Sequence, residues 1–258
     1  MTEARAGACE IAMNDPIRDS DNILFITGAG MSADCGVPTY RGKGGLYEQQ
    51  EDSFALPAEV ILTPETLAER PDLVWQHLAK IEQASRGVTP HPGHHFLAHL
   101  EKAKKRVWIL TQNVDGLHQS AGSTQVIDIH GDYRKLSCTR CRYRCQVADY
   151  AHFSRLPPLC PECSAVLRPD VILFGEGLPF RQLHALETQL KIGFDLVVSI
   201  GTSSLFPYIQ APVFVARAAG KSTIEINPST TEISRAFSLL LPLGAAAALN
   251  AIASINFN

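Results

Sequence analysis

Two cysteine pairs, Cys138-x-x-Cys141 and Cys160-x-x-Cys163, stand with eighteen residues between them. Each pair can chelate, and together they supply the four thiolates of a tetrahedral zinc ribbon. A four-cysteine site leaves no open coordination position, so the expectation is one structural zinc ion per chain that takes no part in catalysis. Arg134, Lys135, Arg140, Arg142 and Arg144 crowd the same stretch. They read as compensation for the negative charge of the thiolate centre, with a nucleic-acid patch as the alternative. Cys9, Cys35 and Cys145 are left over and read as free thiols.

A second group of residues could move protons. His130 sits in an Asp-Ile-His-Gly turn after an apolar run, and Asn113 and Asp115 end another. An imidazole that titrates near neutrality, close to groups able to orient a substrate, suits general acid/base catalysis. His94, His95 and His118 read as packing or helix-surface residues. Gly28-Ala29-Gly30 also follows an apolar run, and glycines there let a backbone approach a pyrophosphate ahead of a helix N-terminus. The next glycine is Gly36, so the spacing is not the G-x-G-x-x-G of dehydrogenases, and a tight strand-to-helix turn would explain the same residues. Gly42, Gly44 and Gly45 around Arg41 make a stretch able to close over a ligand.

The elements that must position these residues are legible as short runs. Ile23–Thr27, Val107–Thr111, Val126–Ile129, Leu196–Ile200 and Thr223–Ile226 are nearly continuous in apolar or β-branched residues. Such strands belong to parallel sheets covered on both faces. Helical stretches such as Gly93–Lys104 and Gln182–Ile192 lie between them, which predicts an α/β, doubly wound, Rossmann-like parallel sheet. The candidate chemical residues all follow strand C-terminal ends, where open α/β sheets bind ligands.

Two stretches break the alternation: residues about 47–89, with Thr63-Pro64-Glu65 as a helix start, and residues about 136–166, which hold the cysteines. They read as a helical insertion and a zinc-ribbon module forming a smaller unit against a core of about 20–46, 90–135 and 165–256, within one catalytic domain spanning residues 1–258. The Ala-rich end, Gly244–Ala253, reads as a helix.

Of the 258 residues, 45% are hydrophobic and 19% charged, with a net charge of −3. That balance is globular and argues for neither nucleic acid nor membrane as a partner. No apolar run reaches the roughly 20 residues of a membrane span, and the first residues lack the apolar core of a secretory signal. A cytoplasmic location is expected.

Taken in order, the motifs resemble the sirtuin family of NAD-dependent protein-lysine deacylases, bacterial type, from Asn22 to about Ala253. The matching segments are Gly28-Ala29-Gly30-Met31-Ser32-Ala33, Gly36-Val37-Pro38-Thr39-Tyr40-Arg41, Thr111-Gln112-Asn113-Val114-Asp115-Gly116-Leu117-His118 and His130-Gly131. The two cysteine pairs follow, then Leu167-Arg168-Pro169-Asp170-Val171, Phe174-Gly175-Glu176, Gly201-Thr202-Ser203 and Glu225-Ile226-Asn227.

The resemblance implies that NAD, as cosubstrate, lies between the large and small modules. It would be bound by Gly28, Ala29, Gly30, Ser32, Tyr40, Arg41, Gln112, Asn113 and Asp115, and toward the adenosine by Gly201, Thr202, Ser203, Asn227 and Ala245. It further implies that His130, Asn113 and Asp115 are catalytic, with His130 taking a proton from a ribose hydroxyl after nicotinamide has left. Acylated lysine of a protein or peptide would bind at Val171, Phe174, Gly175 and Glu176, the last three pairing with it as an added strand.

Thr39 and Tyr40 stand where many relatives carry an acid and a Phe, and threonine there resembles the subgroup that removes acidic acyl chains. Alignment on Trp75, however, puts Leu78 and Ile81 where that subgroup has Tyr and Arg, so Leu78 and Ile81 are expected to line an acyl channel for neutral chains, acetyl favoured. Protein mono-ADP-ribosyl transfer from the same NAD pocket is the alternative activity. A zinc-ribbon nucleic-acid binder is a further one, and a hydride-transferring dehydrogenase fits least.

Overall fold

The computed structural model describes residues 16–39, 45 and 56–253. Its strands, in chain order, are β1 (Asn22–Thr27), β2 (Arg106–Thr111), β3 (Val126–Asp128), β4 (Gly131–Cys138), β5 (Arg144–Gln146), β6 (Leu167–Val171), β7 (Leu196–Ile200), β8 (Ser222–Ile226) and β9 (Leu239–Leu241). Six form one sheet in the order β3-β2-β1-β7-β8-β9, every neighbouring pair parallel. The other three form an antiparallel sheet, β5-β4-β6.

The large sheet is apolar throughout because both faces are covered. On β1, Ile23 and Phe25 point into one core and Leu24 and Ile26 into the other, and all four are fully buried. Helices Pro92–Ala103 and Ala245–Ala253 cover the first face through Leu97, Leu100, Leu249 and Ile252. Helices Phe180–Ile192 and Pro207–Ala218 cover the second through Leu186, Ile209 and Val213. This is the doubly wound arrangement the apolar runs predict.

The smaller sheet and β9 differ from the reading of the sequence, which did not anticipate them. β4 carries Arg134 and Lys135 among buried Tyr133 and Leu136, so no continuous apolar run marks it. β9 is only three residues long and lies on the sheet edge.

Helices Pro64–Glu69 and Pro71–Ser85 stand against the small sheet. Thr63 caps the first, its Oγ1 accepting from Thr66 N–H at 3.2 Å with Pro64 in the first turn, a pattern that satisfies an otherwise orphaned donor. On the second, Val74, Trp75, Leu78 and Ile81 join Leu136, Tyr150, Leu167 and Leu173 in a third core. Trp75 is fully buried and donates from Nε1 to Leu167 C=O at 2.8 Å, tying helix to sheet. Among the described residues no helix is long and apolar enough to cross a membrane.

Candidate active site

Strand order reverses beside β1. The chain winds outward through β2 to β3, then returns to lay β7 along the other side of β1. Connections leaving in opposite directions open a crevice at the C-terminal ends of these two strands. Gly28 follows β1 and Gly201 follows β7, and their turns touch: Gly30 N–H donates to Gly201 C=O at 2.9 Å. A Cβ on Gly28 or Gly30 would meet atoms of Gly201 or Thr202 within 2.8 Å. These glycines are therefore required by a backbone contact between two strand ends.

A cavity of about 910 Å³ fills that crevice and continues between the two sheets. Gly28, Ala29, Gly30, Gly201, Thr202 and Ser203 line one end, and Asn227, Gly244 and Ala245 extend it past β8. Side chains brace the strand ends against one another: Gln112 Nε2 donates to Thr202 Oγ1 at 2.7 Å and Asn227 Nδ2 to Thr202 C=O at 2.8 Å.

His130 and Asn113 also line the cavity. His130 Nδ1 lies 3.1 Å from Gln112 C=O, and a carbonyl can only accept, so Nδ1 carries the proton and Nε2 the lone pair. Burial pushes its pKa down, while the bond to Gln112 C=O works the other way. A neutral imidazole with its lone pair on Nε2 is the form a general base needs. Asn113 is held by Nδ2, which donates to Gly28 C=O and Ser32 Oγ, both at 3.0 Å. Its Oδ1 is buried without a partner. A buried acceptor left unpaired costs free energy, and here it waits for a donor from a ligand such as a ribose hydroxyl or a carboxamide.

Ser32 and Asp115 form a buried pair next to Asn113. Neither is among the described residues of the cavity wall; both stand behind Asn113. Ser32 is fully buried and Oγ donates to Asp115 Oδ2 at 2.7 Å, while Asp115 Oδ1 accepts from Leu117 N–H at 2.9 Å. Burial raises the Asp115 carboxyl against the lowering effect of those two bonds. Tyr40, Arg41, Gly42 and Gly44 lie outside the described residues.

Beyond His130 the wall turns apolar. Leu62, Leu78, Ile81, Val114, Val171, Leu173 and Phe174 line it, with Tyr133. Tyr133 keeps its hydroxyl on Ser85 at 3.0 Å. The segment expected to offer a strand edge is instead a turn: Glu176 N–H donates to Leu173 C=O, Phe174 N–H to Leu62 C=O, and Glu176 is paired with Arg168 at 2.6 Å. The helical insertion thus reaches across and engages part of that backbone.

Sequence reasoning missed Tyr208. It opens helix Pro207–Ala218, lines the cavity and places its hydroxyl 2.7 Å from His130 Nε2. The one local signal is an aromatic pair, Phe206 and Tyr208, flanking a helix-starting proline just past a strand-end turn.

The four cysteines come together at the end of β4, facing the turn before β6. Cys138 and Cys163 Sγ are 3.4 Å apart and Cys141 and Cys160 Sγ 3.6 Å, and all four lie within 4.8 Å of one another. Four sulfurs about 2.3 Å from a tetrahedral zinc would stand roughly 3.8 Å apart, so the set fits that ion. Of the five basic residues near the site, Arg140 stays beside it, its guanidinium donating to Cys163 C=O, while three pair elsewhere. Arg134 is paired with Asp132 at 2.8 Å, Lys135 with Asp128 at 3.0 Å and Arg144 with Asp170 at 3.4 Å. Backbone amides approach the thiolates instead: Arg140 and Cys141 N–H donate to Cys138 Sγ at 3.3 Å and Tyr143 N–H to Cys141 Sγ at 3.5 Å. Asp132 shares β4 with Arg134, Asp128 ends β3 and Asp170 stands on β6, so three different strands supply the carboxylates.

Cys35, His91 and His94 also converge within 4.8 Å, but His91 is already committed at both ring nitrogens. Nδ1 accepts from Gly93 N–H at 2.9 Å and Nε2 donates to Met31 C=O at 2.8 Å. No lone pair is left there for a metal.

Comparison with known proteins agrees with this geometry. The model of the Sir2 family matches residues 28–206. An "NAD-dependent protein deacylase 2" from Pseudomonas syringae pv. tomato is 44% identical over 234 residues, covering 89% of this chain and 93% of the relative. A crystal structure of a Sir2 homolog–NAD complex superposes with a TM-score of 0.83 at 30% identity, covering 95% of this chain and 93% of that one. A Sir2–p53 peptide–NAD+ structure does so with a TM-score of 0.79 at 26% identity, covering 94% and 96%.

Proposed function

Because the chain belongs to the Sir2 family, we propose that it is an NAD-dependent protein-lysine deacylase acting on neutral acyl chains. The observation that carries this reading is the cavity itself. Two glycine turns, a neutral histidine and a group of apolar side chains line one and the same cavity. NAD is the cosubstrate, and the site fits it: a cavity of about 910 Å³ runs past the Gly28–Gly30 and Gly201–Ser203 turns, and Asn113 Oδ1 lacks a partner.

In this reading the acyl-lysine enters along the Leu62, Leu78, Ile81, Val171 and Phe174 wall, which brings its carbonyl to the His130 region. Asn113 orients the ribose and nicotinamide, held in place by Gly28, Ser32 and, behind them, Asp115. Such fixed geometry is worth much of a barrier when reacting atoms must meet in line. Nicotinamide leaves as the acyl oxygen bonds to the ribose carbon. His130 Nε2 then takes a proton from a ribose hydroxyl, whose oxygen bonds to the acyl carbon; a water molecule adds there as the lysine amine leaves, and the products are free lysine, nicotinamide and O-acyl-ADP-ribose. Zinc, when bound by Cys138, Cys141, Cys160 and Cys163, holds the small module together away from the reacting atoms.

The chain's thiol-rich ribbon suits a reducing cytoplasm, and its partners are acylated proteins rather than nucleic acid. Mono-ADP-ribosyl transfer is the rival outcome. An acyl-lysine peptide panel with and without NAD, run beside incorporation of labelled ADP-ribose into protein, separates the two. NAD-dependent loss of acyl groups without label incorporation is expected; label incorporation without deacylation would overturn the reading.

A further inference from the structure

His130 has two hydrogen-bond partners among the described residues, and neither is charged. Nδ1–H donates to Gln112 C=O at 3.1 Å, and Nε2 lies 2.7 Å from Tyr208 Oη. With the imidazole in that tautomer, Nε2 can only accept, so the phenol is the donor. Many general-base histidines are steadied by a carboxylate, which also stabilises the imidazolium that forms. Here that partner is missing, and burial disfavours the charged ring. A hydroxyl differs from a carboxylate in one useful respect: it donates or accepts according to how it is turned.

Tyr208 is well placed for this. Pro207 fixes the first turn of its helix. The Phe206 ring stacks on the Tyr208 ring at 5.4 Å and 10°, while both rings meet the His130 ring edge-on at 5.7 and 5.9 Å. Burial pushes the phenol up to about 12, so it keeps its proton across the working range of an enzyme.

We propose that Tyr208 is a positioning residue for His130, donating to Nε2 while the imidazole is neutral and accepting from Nε2–H once it has taken the substrate proton. The inference rests on His130 being the general base. Before reaction the bond occupies the Nε2 lone pair and fixes the plane of the ring. When a substrate hydroxyl reaches Nε2, the phenol turns about its Cζ–Oη bond and presents oxygen instead of hydrogen. The substrate O–H bond breaks, Nε2–H forms, and Tyr208 keeps its own proton throughout. The imidazolium then has Gln112 C=O on one nitrogen and Tyr208 Oη near the other, both charge-assisted bonds and so stronger than neutral ones.

Tyr208→Phe keeps the ring stack and removes only the hydroxyl. With zinc-loaded protein, NAD and an acetyl-lysine peptide, kcat is expected to fall about tenfold, the worth of one charge-assisted bond, with KM for NAD and peptide within about twofold. Exchange of labelled nicotinamide into NAD, which precedes proton removal, should stay near wild type, and the Tm should hold. His130→Ala is the control. If it loses turnover while Tyr208→Phe turns over within twofold of wild type, the Tyr208 role is overturned and the base assignment stands. If His130→Ala is itself active, both fall. Exchange falling in step with turnover would show a distorted pocket and would also overturn the proposal.

Discussion

Ser32 Oγ donates to Asp115 Oδ2 at 2.7 Å, and the same oxygen accepts from Asn113 Nδ2 at 3.0 Å. One buried hydroxyl thus joins the glycine turn after β1 to the polar turn after β2. Ser32→Ala would leave the Asp115 carboxylate and the Asn113 amide each one partner short. The expected loss of stability is about 1–3 kcal/mol, the usual cost of stranding buried polar groups. It should appear as a lower urea midpoint at unchanged slope. A midpoint equal to that of wild type would deny Ser32 this linking role.

For His130 the expectation concerns rate rather than fold. His130→Ala should retain NAD affinity and the melting temperature while turnover drops by about 10² to 10⁴, the range of a lost general base. Burial already holds the imidazole neutral near pH 7, so the wild-type base needs no alkaline activation. Retention of more than about a third of the activity would remove His130 from the role assigned to it.

What the sequence made legible, and what it did not, follows from how local each signal is. Cysteine pairs announce themselves because chelation demands a fixed short spacing. Five strands of the large sheet, all but the short edge strand β9, are readable because both faces are buried, so Leu24 and Ile26 are as apolar as Ile23 and Phe25. β4 is not, since Arg134 and Lys135 are neutralised by Asp132 and Asp128 only after folding. Tyr208 meets His130 across 78 residues of chain, a contact created by the β7–helix connection and carried by no motif.

Removing the metal should act on the fold. The four sulfurs anchor a module whose core also takes in Trp75, Leu78 and Ile81, and binding free energy at a structural zinc is folding free energy. Cys138→Ala, or a strong chelator, is expected to unfold the small module and abolish activity together. One zinc per chain with a four-sulfur X-ray absorption signature is the expected state. A nitrogen or water ligand in that signature would contradict the assignment.

Acid should destabilise the protein through two buried rings. His94 and His118 are almost wholly buried, with ring centroids 4.9 Å apart. Burial first, and then neighbouring histidines, lower His94 to about 2 and His118 to about 3. In the unfolded chain both titrate near 6.5. Below that value the unfolded state binds protons the native state does not, so stability is full above about pH 7 and falls as the pH drops. Each ring contributes a slope approaching roughly 1.4 kcal/mol per pH unit. Tm should therefore be flat from pH 7 to 8 and fall steeply from pH 6 to 4, with a shallower fall in His94→Leu. Equal slopes in the two proteins would show that His94 is not held neutral.

The acyl preference rests on helix Pro71–Ser85. Leu78 and Ile81 sit one turn apart on the same face, only 6% and 8% exposed, and both line the apolar end of the cavity. Of the described residues on that part of the wall, Leu62, Val171, Leu173 and Phe174 are also apolar, and the Tyr133 hydroxyl is already taken up by Ser85. A carboxylate entering here would shed its water without gaining a cationic partner, at a cost of roughly 2–5 kcal/mol. That corresponds to a preference of about 30-fold or more for neutral over acidic acyl groups. Thr39 lines the cavity too, but a hydroxyl cannot offset a full buried charge. Acetyl-lysine should therefore be turned over well, longer apolar chains tolerated and succinyl-lysine poor, measured as kcat/KM on matched peptides. The Leu78→Tyr, Ile81→Arg double variant supplies the missing cation and should move the preference toward succinyl. A wild-type enzyme that prefers succinyl would sink the argument, and an unchanged preference in the double variant would mean that this helix face does not meet the acyl chain.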